Sequence, residues 1–286
     1  MANLKELRSR IKSVSSTMQI TSAMKMVSAS KLSKAQDAIQ SMRPYSEKLT
    51  ELLGALNASV GANVSNSLTK QREINKVLVV SISSNRGLAG AFNSNIVKAS
   101  KKLVSEELAD KQVDFFTIGK KANDILSKEF SIFENNVKIF DDLVFDKASD
   151  ITERLMDLYT SETYDQILLV YNQFKNAATQ VVVTEQLLPI QSSEVDSQAD
   201  TDYIFEPSKV QIIEDLLPKS LKVQFYKALR DSVASEHGAR MTAMHKATDN
   251  ATQLRDALKL SYNKARQAAI TNEILEIVGG AEALNA

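Results

Sequence analysis

The stretch whose residue types and spacing come nearest to a reactive or binding site is Ser83-Ser84-Asn85-Arg86-Gly87-Leu88-Ala89-Gly90-Ala91-Phe92-Asn93. It follows an apolar run and opens an amphipathic segment. Backbone amides at a helix N-terminus, with Arg86 beside them, could therefore hold a phosphate. The spacing is neither GxxxxGK(S/T) nor GxGxxG, and no acidic residue closes the next strand in the manner of a ribose-binding group. A tight glycine turn without a ligand is the plainer reading. His237 and His245 lie about two helical turns apart with no third ligand type near them, so surface or interface histidines fit better than a metal pair. No G-x-S-x-G elbow occurs, and no Asp and His are placed to complete a triad. The carboxylate pairs Glu106-Glu107 and Asp141-Asp142 sit in charged settings where solvation is the default. The chain has no Cys, which excludes disulfide and thiol chemistry. No catalytic, cofactor or metal residues are expected.

The elements that would carry the glycine turn form a β and α alternation. Val77-Leu78-Val79-Val80-Ser81-Ile82 reads as a strand buried on both faces of a parallel sheet. After it come a helix from Asn93 to Ala109, a strand from Val113 to Ile118 and a helix from Lys120 to Phe130. A weak strand from Val137 to Phe140, a helix from Ala148 to Ser161, and strands from Gln166 to Tyr171 and Gln180 to Glu185 follow. This order predicts a small doubly wound, Rossmann-like sheet. Residues Ser59 to Lys70, rich in Ser, Asn and Gly, mark a boundary. Ser192 to Asp202, acidic and Ser-rich, reads as a mobile loop before Tyr203 to Pro207 leads onward.

Flanking this pattern are two long helices. From Lys219 to Leu284 there is no proline and, before Gly279-Gly280, a single glycine, Gly238; one helix of about 90 Å would result. Leu229, Val233, Met244, Ala247, Ala251, Leu254, Leu258, Ala265, Ala268 and Leu275 form a narrow stripe with coiled-coil spacing. The first sixty residues repeat the theme at Leu4, Leu7, Ile11, Val14 and Met18, and again at Leu32, Ala35, Ile39, Met42, Leu49, Leu53 and Leu56. Between those runs Thr21, Lys25 and Ser28 take the seam positions, while Ile20, Ala23, Met24, Met26 and Val27 move to other faces. Apolar side chains displaced from a seam face water unless another protein covers them, so this is a candidate contact face; a local stutter is the blander account. Pro44 predicts a bend or short break near Met42 to Tyr45, with helix resuming to about Ala58. The expected organisation is an α/β chain with a helix over 1–59, an inserted α/β domain over 76–190, a linker over 191–207 and a helix over 208–286. The two helices are expected to pair as a long antiparallel coiled coil.

Composition narrows the function classes. Aromatic residues make up 6% of 286 residues, thin for two globular cores, so much of the chain is expected to be elongated. No apolar run approaches the ~20 residues needed to span a bilayer, and the start lacks a signal-peptide core. Lys and Arg balance Asp and Glu at 35 each, but residues 1–60 carry nine basic and four acidic side chains and residues 219–286 ten and seven. The ends are thus basic and the middle acidic. With no basic cluster interleaved with aromatics, an acidic protein partner suits this better than nucleic acid.

Three motifs permit a family comparison: Ile11 to Val14 with Ile20 to Leu32, the turn Ser83 to Asn95, and Ile270-Thr271-Asn272-Glu273-Ile274-Leu275-Glu276-Ile277-Val278-Gly279-Gly280-Ala281-Glu282-Ala283. Together with Glu236 to Met244 and Ala247 to Ala251, they make the chain resemble the γ-subunit family of F-type ATP synthases from end to end. The resemblance implies a non-catalytic rotor shaft. It would stand in a hexamer of α and β subunits and rest with the ε subunit on the c-subunit ring. One copy per complex would couple ion-driven rotation to ATP synthesis or hydrolysis on β. The membrane would be touched only through the c ring, at the cytoplasmic face of a bacterial plasma membrane. By position, Met24, Lys25, Arg86, Arg240, Arg266, Gln267, Thr271, Glu273 and Glu276 resemble contacts with β, and Tyr203 and Glu206 contacts with the c ring and ε. Asn85 stands where an Asp is common and Ala89 where Cys is common; no inserted Cys pair is present. A small-ligand α/β enzyme with a helical dimerisation arm is the alternative, and would show a pocket of converging polar groups beyond the first strand. A coiled-coil scaffold without rotary function is the third reading, and would self-associate through its seam.

Overall fold

The computed structural model describes residues 4–60, 67–190, 206 and 208–285. It opens on helix α1 (Leu4–Val60) and closes on helix α5 (Lys209–Asn285). Between them run β1 (Lys76–Ile82), α2 (Phe92–Glu106), β2 (Gln112–Ile118), α3 (Lys120–Leu126), β3 (Ser131–Asn136), α4 (Phe145–Thr160), β4 (Gln166–Phe174) and β5 (Gln180–Leu188). The strands form one sheet in the order β3-β2-β1-β4-β5. Its first four strands are parallel and β5 is antiparallel to β4. The five-residue connection from Lys175 to Thr179 is too short for a crossover, which dictates that reversal. Asn176 Oδ1 closes the turn by accepting from the amides of Ala178 and Thr179 at 3.0 and 2.8 Å.

The alternating side chains of β1 explain its central place. Val77 and Val79 join Ile96, Val97 and Leu103 of α2 and Ala122 and Leu126 of α3 on one face. Leu78, Val80 and Ile82 meet Ile151 and Leu155 of α4 on the other, together with Leu221, Phe225, Ala228 and Leu229 of α5. Part of α5 is therefore a covering layer of the sheet. The chain accordingly divides into two compact units, Ala29–Arg240, and Met1–Ser28 with Met241–Ala286. The α/β unit is wider than the expected 76–190, because stretches of both long helices belong to it.

In the second unit the two helices pair antiparallel. Thr248 Oγ1 donates to Thr21 Oγ1 at 2.8 Å, and Arg255 reaches Met18, so rising numbers on α5 meet falling numbers on α1. On α1 positions 4, 7, 11, 14, 18, 21, 25 and 28 are all less than fully exposed, with 15, 22 and 24 beside them, so the seam passes through Thr21, Lys25 and Ser28 as their spacing implies. On α5 it runs through Met244, Thr248, Ala251, Arg255, Leu258, Tyr262 and Ala265. Leu254, expected on the seam, is 52% exposed because Arg255 occupies that position. Ala268 and Leu275 are exposed for another reason. Continuing the pairing of Thr21 with Thr248 at equal rise, α1 runs out opposite about residue 265.

Other elements depart from expectation. Neither proline stops its helix: Pro44 lies inside α1 without a break, and Pro218 lies inside α5, which starts ten residues before Lys219. Ile213 and Leu217 are buried beside Ile190 at helical spacing, and that burial offsets the ~3 kcal/mol a proline costs. The third strand is not Val137 to Phe140, where the backbone makes a 3-10 turn, but Ser131–Asn136. It is an edge strand whose inward positions include Glu134 and Asn136, held by Arg154 and by the Ile139 amide, so it lacks an apolar run. Helix α2 ends at Glu106 rather than Ala109, and α3 at Leu126 rather than Phe130. The segment Ser192 to Asp202 and Tyr203 lie outside the described residues.

Candidate functional site

In an open α/β sheet the ligand crevice lies beyond the carboxyl ends of strands at the point where the strand order reverses, here β1 and β4. The chain leaves β1 through the glycine turn, where Ser83, Ser84 and Asn85 are already paired within the chain. Ser84 N donates to Asn93 Oδ1 at 3.0 Å and Ser84 Oγ to the Arg86 carbonyl at 2.6 Å. Ser83 Oγ accepts from the Ala122 amide at 2.9 Å. Asn85 spans outward, donating to the Val137 carbonyl at 2.9 Å and accepting from the Lys120 amide at 3.2 Å. The neighbouring turn needs Gly119: its φ is +93°, and a Cβ there would lie 2.3 Å from the Ser83 carbonyl oxygen.

Helix α5 fills what remains of the crevice. Ser235 Oγ donates to the Asn172 carbonyl of β4 at 3.0 Å, and Ala239 packs on Ala89 and Phe92 of the turn. Arg240, expected to offer its guanidinium to a partner, is only 9% exposed and turns inward. Its Nη2 donates to the carbonyls of Arg86 and Gly87 at 3.1 and 3.3 Å, while Nη1 pairs with Glu236 at 2.7 Å. A helix with small residues at 235 and 239 can approach the strand ends closely, which brings the guanidinium against the carbonyls of the turn. Its N–H groups are donors only, which suits them to carbonyl oxygens.

Burial raises the Glu236 carboxyl, against the pull of Arg240. Burial, then Arg240 and Lys31, push His237 down to about 4, so its ring is neutral at pH 7. Its Nδ1 is buried with no hydrogen-bond partner. His245 is instead exposed beside Asp249. Among the described residues no three His, Cys, Asp or Glu are grouped to hold a metal ion. Two clefts open elsewhere: one of about 610 Å³ beside Ile74 and Gln166, at the amino ends of β1 and β4, and one of about 470 Å³ between α1, α5 and the end of β4.

The remaining sequence-derived contact residues fall into separate groups. Arg86 is exposed at the tip of the turn, with Leu88 beside it at 67% exposure and φ +60°. Met24 and Lys25 are half-buried on α1, while Ile20, Met26 and Val27, displaced from the seam, are exposed. Arg266, Gln267, Thr271, Glu273 and Glu276 are exposed on the part of α5 that has outrun α1, interleaved with exposed Ile270, Ile274, Leu275, Ile277 and Val278. Glu206 is exposed in a bend. Sequence reasoning passed over Leu88 and Glu236. Leu88 carried no signal, whereas the (i, i+4) spacing of Glu236 and Arg240 could have announced their pair.

A sheet whose crevice is filled by the chain's own helix, joined to helices that display uncovered apolar and charged residues, has the features of an assembly subunit. Residues 3–284 match the family model described as ATP synthase. The chain belongs to the ATP synthase gamma-chain family. It is 67% identical to the ATP synthase gamma chain of Christiangramia forsetii over the whole of both chains, and 65% identical to that of Flavobacterium psychrophilum over 99% of each. Among solved structures it resembles a chain of the Euglena gracilis mitochondrial ATP synthase, in an OSCP/F1/c-ring assembly, with a TM-score of 0.69 and 22% identity over 98% of this chain and 94% of that one. A chain of the Tetrahymena thermophila mitochondrial ATP synthase central stalk and c ring matches with a TM-score of 0.60 and 26% identity, over 80% of this chain and 99% of that one. The gamma chain is a subunit of ATP synthase and is not itself catalytic; the enzyme with a dimerisation arm is thereby set aside. No helix among the described residues is long and apolar enough to cross a membrane.

Proposed function

We infer that this chain is the central rotor shaft of an F-type ATP synthase, coupling ion-driven rotation of a c-subunit ring to ATP synthesis or hydrolysis on β subunits. The observation that carries the reading is the closed crevice: α5 is built into the α/β unit through Phe225, Leu229, Ser235 and Arg240, so a torque applied to that unit is applied to the helix. Met24, Lys25 and the Arg86 turn are the proposed contacts with β. Arg266, Gln267, Thr271, Glu273 and Glu276 are proposed to meet β from the unpartnered end of α5. The exposed apolar residues interleaved with them favour burial inside a larger assembly, since a stripe of this kind is costly in water. Arg240 acts on β only through the turn it holds. Tyr203 and Glu206 are proposed to face the c ring and ε, and the complex to hold one copy at the cytoplasmic face of a bacterial plasma membrane. The test is co-purification: a tagged chain brings down α, β, ε and c subunits, and its deletion uncouples hydrolysis from ion pumping. A tagged chain recovered alone, with coupling intact in the deletion strain, overturns the reading.

A further inference from the structure

We propose that Arg240 is a positioning residue for rotary coupling, holding the Arg86–Leu88 tip in its outward, left-handed form without touching the partner itself. The inference rests on the reading that this tip meets β. Three features of the tip need a common cause. Leu88 has an apolar side chain 67% exposed to water, its backbone is in a region β-carbons disfavour, and the residues on either side of it are anchored. Ala89 is buried against Ala239 and Phe92 on one side. On the other, Arg240 donates to two successive carbonyls, those of Arg86 and Gly87. The tip is thus pinned from behind while its two long side chains project away from the anchor.

The guanidinium suits this task. Its planar donors reach two carbonyls and a carboxylate at once, and Glu236 fixes its plane from one helical turn back. Lysine would keep the charge but cannot bridge the same three acceptors with fixed geometry. Among the described residues Leu88 keeps an exposed side chain, and a strained, uncovered residue on an over-determined backbone is the pattern of a contact point.

The test uses the assembled complex in sealed vesicles, measuring ions pumped per ATP hydrolysed and, separately, assembly yield and thermal stability. Arg240→Gln is expected to lower the pumping ratio by about tenfold, the scale on which one charge-assisted hydrogen bond biases an equilibrium. Leu88→Gly, which relieves the strain but removes the side chain, is expected to lower it comparably. The double variant is expected to be no worse than Leu88→Gly alone. Arg240→Lys, which preserves charge and supports assembly if Arg240→Gln does not, is expected to couple poorly. A double variant whose loss equals the product of the singles overturns the proposal, as does a loss of assembly yield in both Arg240 variants with pumping per assembled complex unchanged. If Arg86→Ala and Leu88→Gly leave pumping intact while Arg240→Gln does not, the tip is not the contact and that underlying reading fails instead.

Discussion

The same helix leads two different lives. From Ile213 to Arg240, α5 is a layer of an α/β sandwich, with Leu221, Phe225 and Leu229 buried in the core shared with β1, β4 and α4, Leu217 beside Ile190 and Ser235 on Asn172 of β4. From Met241 onward it has at most one neighbour, and Met244 and Ala251 are its only fully buried residues there among those described. A helix enclosed on several sides loses its stripe, whereas a helix with one partner keeps a narrow seam. Stability resides mainly in the first part, and surface freedom in the second.

The sharpest way to break this contrast is by truncation of matched side chains. Phe225→Ala is expected to cost about 4 kcal/mol and Leu258→Ala about 1 kcal/mol, read from urea midpoints of the isolated chain. Equal costs would mean that the two parts are packed alike.

Next in size are two ionisable groups in the enclosed part that act with opposite sign. Burial raises the Asp231 carboxyl to about 6, with Lys227 and Arg43 opposing and Glu185 adding to the shift. A carboxyl with a raised folded value supplies stability below its unfolded value that is lost as pH rises through about 6. His237, pushed down to about 4, supplies stability above its unfolded value of 6.5 that is lost as pH falls. Over the shared interval the two slopes oppose one another. Asp231→Asn is expected to leave stability rising with pH between 4 and 6.5, and His237→Gln to leave it falling, each by about 2 kcal/mol across the interval. Chemical unfolding at a series of pH values reads both slopes, and identical slopes in the two variants would refute the assignment.

Glycines provide a smaller contrast. At Gly238 a Cβ would lie 3.2 Å from the Ala177 carbonyl oxygen, whereas at Gly279 it would meet nothing within 4 Å. Gly238→Val is expected to destabilise by about 2 kcal/mol through overpacking, and Gly279→Ala to gain up to about 1 kcal/mol of helix stability. Thermal unfolding of the chain distinguishes them by direction alone.

Smallest in stability is Met24→Lys, which adds a charge beside Lys25 on a half-buried surface. Folding is expected to change by less than about 0.5 kcal/mol. Ion pumping per ATP in the assembled complex is expected to fall by about twofold or more, since like charge at an interface disfavours the docked state. Unchanged pumping would remove Met24 from the contact.

What could be read in advance follows the same division. Buried parallel strands announce themselves, because Val77 to Ile82 must be apolar on both faces. The α1 seam was legible even where Thr21, Lys25 and Ser28 fill it, because spacing survives a change of residue type. Edge strand β3 was not, because Glu134 and Asn136 owe their inward places to Arg154 and the Ile139 amide, which lie far off or out of register in sequence. Leu254 misled because hydrophobicity alone cannot distinguish a seam position from its neighbour when Arg255 lays its aliphatic stem in the groove. The exposure of Leu275 depends on the length of a different helix. For Arg240 the type and spacing pointed to a functional surface, but its direction is set by carbonyls more than 150 residues away in sequence.

The crevice at the ends of β1 and β4 has one more implication. A guanidinium carried on the same chain is a donor that never diffuses away from the Arg86 and Gly87 carbonyls, so the joint it makes does not depend on the concentration of any solute. A fold widely suited to catching small molecules has here been given a permanent occupant. Its capacity for recognition is converted into a fixed joint, and a cell's changing metabolite levels pass it unnoticed.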